Sequence, residues 1–216
     1  MTRLSAPLAA ALAASLLAAG PAGAHPHVWV ETKSAIVYDE AGRIAAVNHV
    51  WTFDEGYTAF LVQGLDADGD GAYSSEELAE LAELNATSLV DFDYFTFLRT
   101  DGDEQLFAAP TDYRLVHDGA NATLHFTLPL EEPAQVETAL VLEVYDPTFF
   151  VSFRMVEGED AVTLAGGPEG CALDIARATE VRLDQFQNLS EAFFEALTAP
   201  EELGVDIVNR ALVACP

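Results

Sequence analysis

The stretch LDADGDGAYSSEEL (residues 65–78) places three aspartates, Asp66, Asp68 and Asp70, at alternate positions and follows them with Gly71. Like charges at this spacing repel one another, so they need either full exposure to water or a cation that neutralises them. This feature constrains the fold most, because a cation site forces the backbone to wrap around one point. An exposed acidic turn without an ion is the alternative interpretation.

The spacing matches the twelve-residue EF-hand calcium loop, counted from the first aspartate. Oxygens two residues apart converge as the chain wraps around an ion, and the glycine at position six permits the sharp bend. A bidentate glutamate at position twelve closes the coordination sphere, and so many hard oxygen donors suit Ca²⁺ better than Zn²⁺ or Cu²⁺. The predicted calcium ligands are Asp66, Asp68, Asp70, Ala72 through its carbonyl, Ser74 and Glu77.

Helical patterns flank this loop. Residues 54–64 carry apolar side chains at helical spacing, and SSEELAELAELNATSLVDF begins with Ser74 or Ser75 as the helix cap. Together they predict a helix–loop–helix insertion over residues 53–95. A second hand is not expected, because Leu106 occupies the glycine position of RTDGDEQL. Tyr73 is expected to pack on the β-stranded part of the domain, which we call the β-body, in place of a second hand.

The remaining chain is rich in β-branched and aromatic residues. Residues 27–38 and 44–53 predict a hairpin across the turn DEAGR, and several strands follow from residue 93. The stretch LDQFQNLSEAFFEAL predicts a helix near the C-terminus. The expected fold class is α+β: a β-rich, sandwich-like domain with an inserted EF-hand-type helix–loop–helix and C-terminal helices.

The N-terminal sequence predicts export. Residues 1–24 have one positive charge, a short apolar run and an A-x-A site, which are typical of a signal peptide cleaved after Ala24. The expected location is the periplasm, with residues 25–216 forming a single domain. No later apolar stretch is long enough to span a bilayer, so we expect no stable membrane insertion. Because an exported chain meets oxidants, Cys171 and Cys215 are expected to pair.

The negative net charge of the chain disfavours some classes of binding partner. The chain has 9 basic and 36 acidic residues and a net charge of −27. Such a surface repels nucleic acid and anionic lipid and concentrates cations. GxSxG, HExxH, P-loop and GxGxxG motifs are all absent from the sequence, and paired carboxylates are not diagnostic in so acidic a chain. We therefore expect a protein that is not an enzyme.

Cleavage after Ala24 would leave HPHVWV at the N-terminus. The amine and imidazole of His25, with the ring of His27, can bind Cu²⁺, Ni²⁺ or Zn²⁺. The square-planar arrangement of amino-terminal copper and nickel sites is excluded, because Pro26 has no amide proton to lose. His49 is the favoured third ligand, since its strand should neighbour the first one. The alternative is that His25 and His27 are a solvated terminus and His49 is a core residue.

Several stretches together resemble a known family. They are AHPHVWV, HVWTFDEGYTAF, GLDADGDGAYSSEEL, DFDYFTF, LHFTLPL, VYDPTFFVSF and the GC…CP ending, in this order. The chain is similar to an exported family of unknown function, number 1007, described as the periplasmic component of an uncharacterised ABC-type transport system. The resemblance implies an accessory role beside a nickel, cobalt or zinc transporter, and implies no particular reaction.

The sequence thus predicts a periplasmic metal-binding accessory protein of a divalent-metal transport system. Calcium would stabilise the loop, and a transition metal at the N-terminal histidines would be captured for, or delivered to, a membrane metal transporter. One alternative is a calcium-stabilised interaction module without a transition-metal site. The other is a copper redox protein that uses His25.

Overall fold

The computed structural model describes residues 26–178 and 208–215, of which 47% are in strands and 17% are helical. The strands form two sheets whose inward faces share one hydrophobic core. In chain order, the elements are β1 (Val28–Tyr38), β2 (Ile44–Phe53), α1 (Glu55–Leu61), α2 (Ser75–Ser88), a 3₁₀ segment (Leu89–Phe95), β3 (Thr96–Thr100), β4 (Asp103–Gln105), β5 (Thr111–His117), β6 (Ala122–Ala134), β7 (Leu140–Val144), β8 (Val151–Met155), β9 (Val162–Ala165), β10 (Ala172–Ala176) and β11 (Asn209–Ala214).

The first sheet is built around the predicted hairpin. Strands β1 and β2 pair antiparallel, and in β1 buried and more exposed side chains alternate along the whole strand. This alternation is what one buried sheet face requires. The strand order is β5-β6-β2-β1-β8, and β9 also pairs with β1. Both β8 and β9 run parallel to β1, so one long strand has two short neighbours on its outer side.

The second sheet has the order β10-β11-β7-β3-β4. Its central strand β7 is buried at four of its five positions, as expected for a strand with neighbours on both sides. The disulfide predicted between Cys171 and Cys215 is confirmed, and it joins the chain just before β10 to the chain just after β11. The bond therefore fastens the last described strand to the edge of the sheet.

Asn209, fully buried at the start of β11, connects the two sheets through its side chain. Its Oδ1 accepts from the amides of Met155 (3.0 Å) and Ala178 (3.2 Å). Its Nδ2 donates to the carbonyl oxygens of Phe153 (2.9 Å) and Val144 (3.2 Å). All four hydrogen-bonding positions of the amide are used, so this polar side chain is tolerated in the core.

The predicted EF-hand-type helix–loop–helix insertion is wrong. Helix α1 has only seven residues and ends at Leu61, with four residues between it and the first loop aspartate, and the intervening Gly64 adopts a left-handed φ of +81°. The buried side of α2 packs chiefly against strand β5 of the first sheet. The acidic loop is therefore attached to the β-body by one long helix, rather than held between two helices of similar length.

The predicted α+β fold class with C-terminal helices is also wrong. The described chain is a two-sheet β-structure with two helices, and residues 208–215 carry strand β11. The predicted helix LDQFQNLSEAFFEAL (residues 183–197) and the signal peptide lie outside the described residues. In the ranges 26–178 and 208–215, no helix combines the length and the apolar character needed to cross a bilayer.

Replacing Asn209 with alanine is expected to lower the free energy of unfolding by about 3 kcal/mol or more, because buried backbone groups of β7 and β8 lose their partner. Asn48→Ala is the control, because Asn48 lies exposed on the outer face of β2, and its loss is expected to stay within about 0.5 kcal/mol. Urea unfolding of both variants measures the difference. Equal losses would show that the Asn209 contacts carry no particular stability.

Candidate metal centre

The acidic loop (residues 66–77) follows a well-capped short helix. Asp54 Oδ1 accepts from the Tyr57 amide (3.0 Å) at the start of α1, and its Oδ2 accepts from the Trp29 amide (3.0 Å) at the start of β1. One carboxylate therefore fixes α1 against the first sheet. The helix that leaves the loop is capped by Ser74, one of the two serines predicted as its cap.

Three aspartates of the loop converge. Ligand oxygens of Asp66, Asp68 and Asp70 all lie within 4.8 Å of one another. Backbone amides hold Asp66 in place, because its Oδ1 accepts from Gly69 (2.8 Å) and Asp70 (3.1 Å) and its Oδ2 accepts from Gly71 (3.1 Å). The two glycines adopt φ values of +75° and +83°, the left-handed region that other residues rarely occupy.

Glu77 closes the loop through hydrogen bonds. Its Oε1 accepts from the Ala67 amide (2.7 Å), and its Oε2 accepts from the amide (2.8 Å) and hydroxyl (2.9 Å) of Ser74. The Ser74 hydroxyl accepts in turn from the Glu77 amide, which completes a capping box. The amides of Ser74 and Ala67 lower the pKa of Glu77 below its ordinary value. Glu77 therefore joins the two ends of the loop and lies outside the aspartate cluster.

The cluster has the dimensions of a calcium site. Oxygens that bind Ca²⁺ lie about 2.3–2.6 Å from it, so two oxygens on opposite sides are separated by roughly twice that distance. The ligand oxygens of the three aspartates, all within 4.8 Å of one another, are close enough to share one such ion. Three carboxylates so close together repel one another, and a divalent cation at their centre would remove that cost.

Tyr73 connects the loop to the β-body. Its ring meets the ring of His117, at the end of β5, edge to face at 4.8 Å. The expectation that Tyr73 packs on the β-body in place of a second hand is confirmed. His117 is held in turn by the Gly119 amide, which donates to its Nδ1 (3.1 Å). A change in the loop backbone would therefore reach the edge strand of the first sheet through this aromatic contact.

The structure places His49 in the core, where it is 1% exposed. Its Nε2 lies 3.1 Å from Thr96 Oγ1 and its Nδ1 lies 3.1 Å from Ser34 Oγ. Because Thr96 donates its only hydroxyl proton to the Tyr94 carbonyl (2.8 Å), its oxygen must accept from His49 Nε2. The neutral ring then accepts from Ser34 at Nδ1. Both ring nitrogens are used, so neither is available to a metal ion.

The predicted transition-metal ligands are not brought together. His49 is opposite Ser34 on β1, seven residues beyond His27, which corresponds to about 20 Å along a strand. The amide of His27 donates to the Phe150 carbonyl (2.9 Å), and the two rings lie 4.8 Å apart. His25 lies outside the described residues. The Asp66–Asp68–Asp70 cluster is the one grouping of three or more His, Cys, Asp or Glu ligands found among the described residues.

Comparison with known proteins agrees with the resemblance seen in the sequence. A family model described as "Protein of unknown function (DUF1007)" matches residues 10–215. The chain belongs to this family. The DUF1007 match covers both sheets, the acidic loop and the disulfide, so all of the structure described above falls inside it.

The chain is also similar to a protein of Spirochaeta aurantia. It is the "Uncharacterized 15.5 kDa protein in trpE 3'region", which is 29% identical over 111 residues. The alignment covers 51% of this chain and 79% of the relative. Neither the family description nor the relative's name states a ligand, a partner or a reaction.

Sequence reasoning missed the partners that orient the acidic loop. The amides of Ala67, Gly69 and Gly71 determine where the carboxylates point, and a backbone amide leaves no signal in a residue pattern. It also missed the Thr96 hydroxyl that occupies His49, because Thr96 is 47 residues away in the chain. The sequence did carry one signal that His49 faces inward. The apolar residues Val47, Trp51 and Phe53 occupy alternate positions of β2 in step with His49.

The free energy of unfolding is expected to decrease as the pH is lowered, and part of this decrease should depend on His49. Burial lowers the pKa of His49 from 6.5 to about 3. Between these values the unfolded chain binds a proton that the folded chain does not, so acid favours unfolding by about 1.4 kcal/mol per pH unit. His49→Gln lacks this dependence, so its stability deficit relative to the wild type should shrink from pH 6.5 towards pH 4. Chemical denaturation across this range measures the deficit, and parallel curves would contradict the assignment.

Proposed function

We propose that this protein is an exported calcium-binding accessory protein of a divalent-metal transport system. The observation that carries the calcium part is the convergence of Asp66, Asp68 and Asp70 within 4.8 Å. In this proposal the three aspartates and Glu77 bind one Ca²⁺, with the Ala72 carbonyl and the Ser74 hydroxyl completing the oxygen sphere. Glu77 would exchange its amide contacts for the ion.

Calcium would act on structure in this proposal. The loop connects α1 to α2, and Tyr73 and α2 both contact strand β5. An ion that fixes the loop would therefore fix the position of α2 on the first sheet. An affinity on the order of 10⁻⁴ to 10⁻³ M, as in extracellular modules, is sufficient for such a role.

The proposed export of the protein and its proposed role in transport are supported by different observations from the calcium site. The signal-peptide pattern of residues 1–24 supports a periplasmic location, and the disulfide between Cys171 and Cys215 fits an oxidising compartment. The proposed partner, a membrane metal transporter, rests on the resemblance noted in the sequence alone, because the description of the matching family names no partner. The cargo of this transporter would be Zn²⁺, Ni²⁺ or Co²⁺.

The burial of His49 favours a second candidate function. With both nitrogens of His49 hydrogen-bonded in the core, a site built on His25 and His27 lacks the third ring that the sequence suggested. A calcium-stabilised interaction module without a transition-metal site accounts for the same loop and the same fold. The two candidates share the calcium site and differ only in what the N-terminal histidines do.

Calcium is expected to bind at one site and to stabilise the protein. With a dissociation constant near 10⁻⁴ M, about 10 mM Ca²⁺ raises the free energy of unfolding by about 2.7 kcal/mol. The double variant Asp66→Asn/Asp70→Asn should lose this effect, because asparagine keeps one accepting oxygen at each position but removes two charges from the site. Calorimetric titration and thermal melts of the cleaved protein measure both quantities.

Glu131→Gln is the control for that experiment, because Glu131 is an exposed carboxylate of β6 far along the chain from the loop. It should bind and respond to Ca²⁺ as the wild type does. Tb³⁺ gives an independent readout, since Tyr73 lies within the loop and can sensitise its luminescence. Absence of binding, or equal stabilisation of the Asn variant and the wild type, would overturn the calcium proposal.

The metal content of the cleaved protein separates the two candidate functions. If the histidines bind a transition metal, His25→Ala/His27→Ala should lose stoichiometric zinc or nickel, whereas His49→Gln should retain it because His49 is closed to metal. One added residue before His25 should abolish a site that uses the terminal amine. Elemental analysis after dialysis measures the content. Metal retained by the double variant would remove the histidine site and leave the interaction module.

A further inference from the structure

One continuous segment of the chain carries negative charge alone. We call residues 54–93 the acidic segment; it contains α1, the acidic loop, α2 and most of the 3₁₀ segment. It has no Lys, Arg or His, and its eleven acidic residues are Asp54, Glu55, Asp66, Asp68, Asp70, Glu76, Glu77, Glu80, Glu83, Asp91 and Asp93. So long a run of one sign, in a folded and ordered part of the chain, is more than solubility requires.

Among the described residues, the acidic segment takes no part in ion pairs. Five of the seven described basic side chains pair with carboxylates of the β-body: Lys33 with Asp160, Arg43 with Asp39, Arg154 with Glu31, and both Arg99 and Arg210 with Glu143. The carboxylates of the acidic segment form no ion pair in this part of the structure. The ion pairs of the described residues therefore all lie outside the acidic segment, whose carboxylates have no described basic side chain beside them.

The same segment exposes large apolar side chains. Phe60 on α1 is 72% exposed, Leu84 on α2 is 61% exposed, and Val90 and Phe92 after α2 are 55% and 52% exposed. These are four of the nine large hydrophobic side chains exposed in the described residues. Exposed apolar side chains that are surrounded by charge are typical of interaction surfaces.

Helix α2 arranges these groups on one side. Its buried positions are Leu78, Ala82 and Ala86, which face the first sheet. Glu76, Glu80, Glu83 and Leu84 recur at intervals of three and four residues on the opposite side, so they form one stripe along the helix. We call this stripe, with Val90, Asp91 and Phe92 beyond it, the α2 face.

Calcium does not account for the α2 face. The predicted calcium ligands lie within residues 66–77, and the one of them on the helix, Glu77, points back to the loop amides. The carboxylates of Glu76, Glu80 and Glu83 do not join the aspartate cluster. Their negative charge remains when the loop is occupied.

We propose that the α2 face is a docking site for a cationic amphipathic segment of a partner polypeptide. Lysines or arginines on one side of that segment would meet Glu76, Glu80 and Glu83, and its apolar side would cover Leu84 and Phe92. The inference refines the accessory role proposed above by stating the chemistry of the partner, and it does not depend on an ion in the loop.

Other occupants lack the required charge. A second copy of this chain offers few free cations, because among the seven described basic residues five are ion-paired, Arg177 donates to the Val156 and Gly158 carbonyls, and only Arg114 remains. Anionic lipid and nucleic acid are repelled by the same carboxylates that define the face. A basic polypeptide is the partner that matches both its charge and its apolar side chains.

The test uses a synthetic amphipathic helix with lysines on one face and leucines on the other, titrated into the cleaved protein in Ca²⁺ at physiological ionic strength. Binding with one-to-one stoichiometry is expected. The variant Glu80→Gln/Glu83→Gln/Leu84→Ser should bind about tenfold more weakly, because it loses two charges and an apolar anchor. A peptide of the same pattern with glutamate in place of lysine should not bind.

A matched control exists on the β-body. Glu131→Gln/Glu132→Gln/Leu106→Ser removes the same charges and one leucine that is 65% exposed, at a place where the Glu131 amide bonds to the Leu106 carbonyl. Its affinity should stay within about twofold of the wild type. Equal weakening of both variants would show attraction to bulk charge and overturn the proposal, as would absence of binding or tighter binding to phosphatidylglycerol vesicles than to the peptide.

The result of the peptide-binding experiment can be distinguished from the result of the calcium experiment. Asp66→Asn/Asp70→Asn leaves the α2 face intact, so the peptide should bind this variant with an affinity within about threefold of the wild type. Loss of Ca²⁺ binding with retained peptide binding would confirm that the face acts independently of the loop. Loss of peptide binding in the Asn variant would overturn that independence.

Discussion

The two sheets are held in register by polar side chains that hydrogen-bond across their buried interface. His49 on β2 donates to Thr96 on β3, and Asn209 on β11 bonds to the backbone of β8. A hydrophobic interface alone tolerates sliding, whereas a buried donor or acceptor that loses its partner costs about 1–3 kcal/mol. These bonds therefore select one relative position of the sheets.

The same bonds determine how the acidic segment returns to the β-body. Asp93, Tyr94 and Phe95 all have φ values near +50°, a left-handed conformation that is costly for residues other than glycine. The Thr96 hydroxyl donates to the Tyr94 carbonyl while it accepts from His49, and the Phe95 carbonyl accepts from the Tyr145 amide (3.1 Å). The strained turn persists because both sheets hold it, and it fixes the direction in which α2 reaches β3.

Charge is divided between the two parts of the protein. The described ion pairs all join basic residues to carboxylates of the β-body, and Glu143 is almost fully buried between Arg99 (2.8 Å) and Arg210 (2.7 Å). The acidic segment has no basic residue of its own, so a cation that neutralises it must come from outside the segment. A metal ion in the loop and a cationic polypeptide on the α2 face would both meet this requirement.

The sequence by itself determined the β1–β2 hairpin, the capping of α2 at Ser74, the pairing of Cys171 with Cys215 and the spacing of the three aspartates. Each of these depends on neighbours along the chain, or on a count of two cysteines. Only the tertiary structure decided that α2 packs on β5, that α1 stops after seven residues and that His49 faces Thr96. The orientation of a histidine, and the partner of a helix, depend on which distant strands meet, and a local pattern of residues carries no information about that meeting.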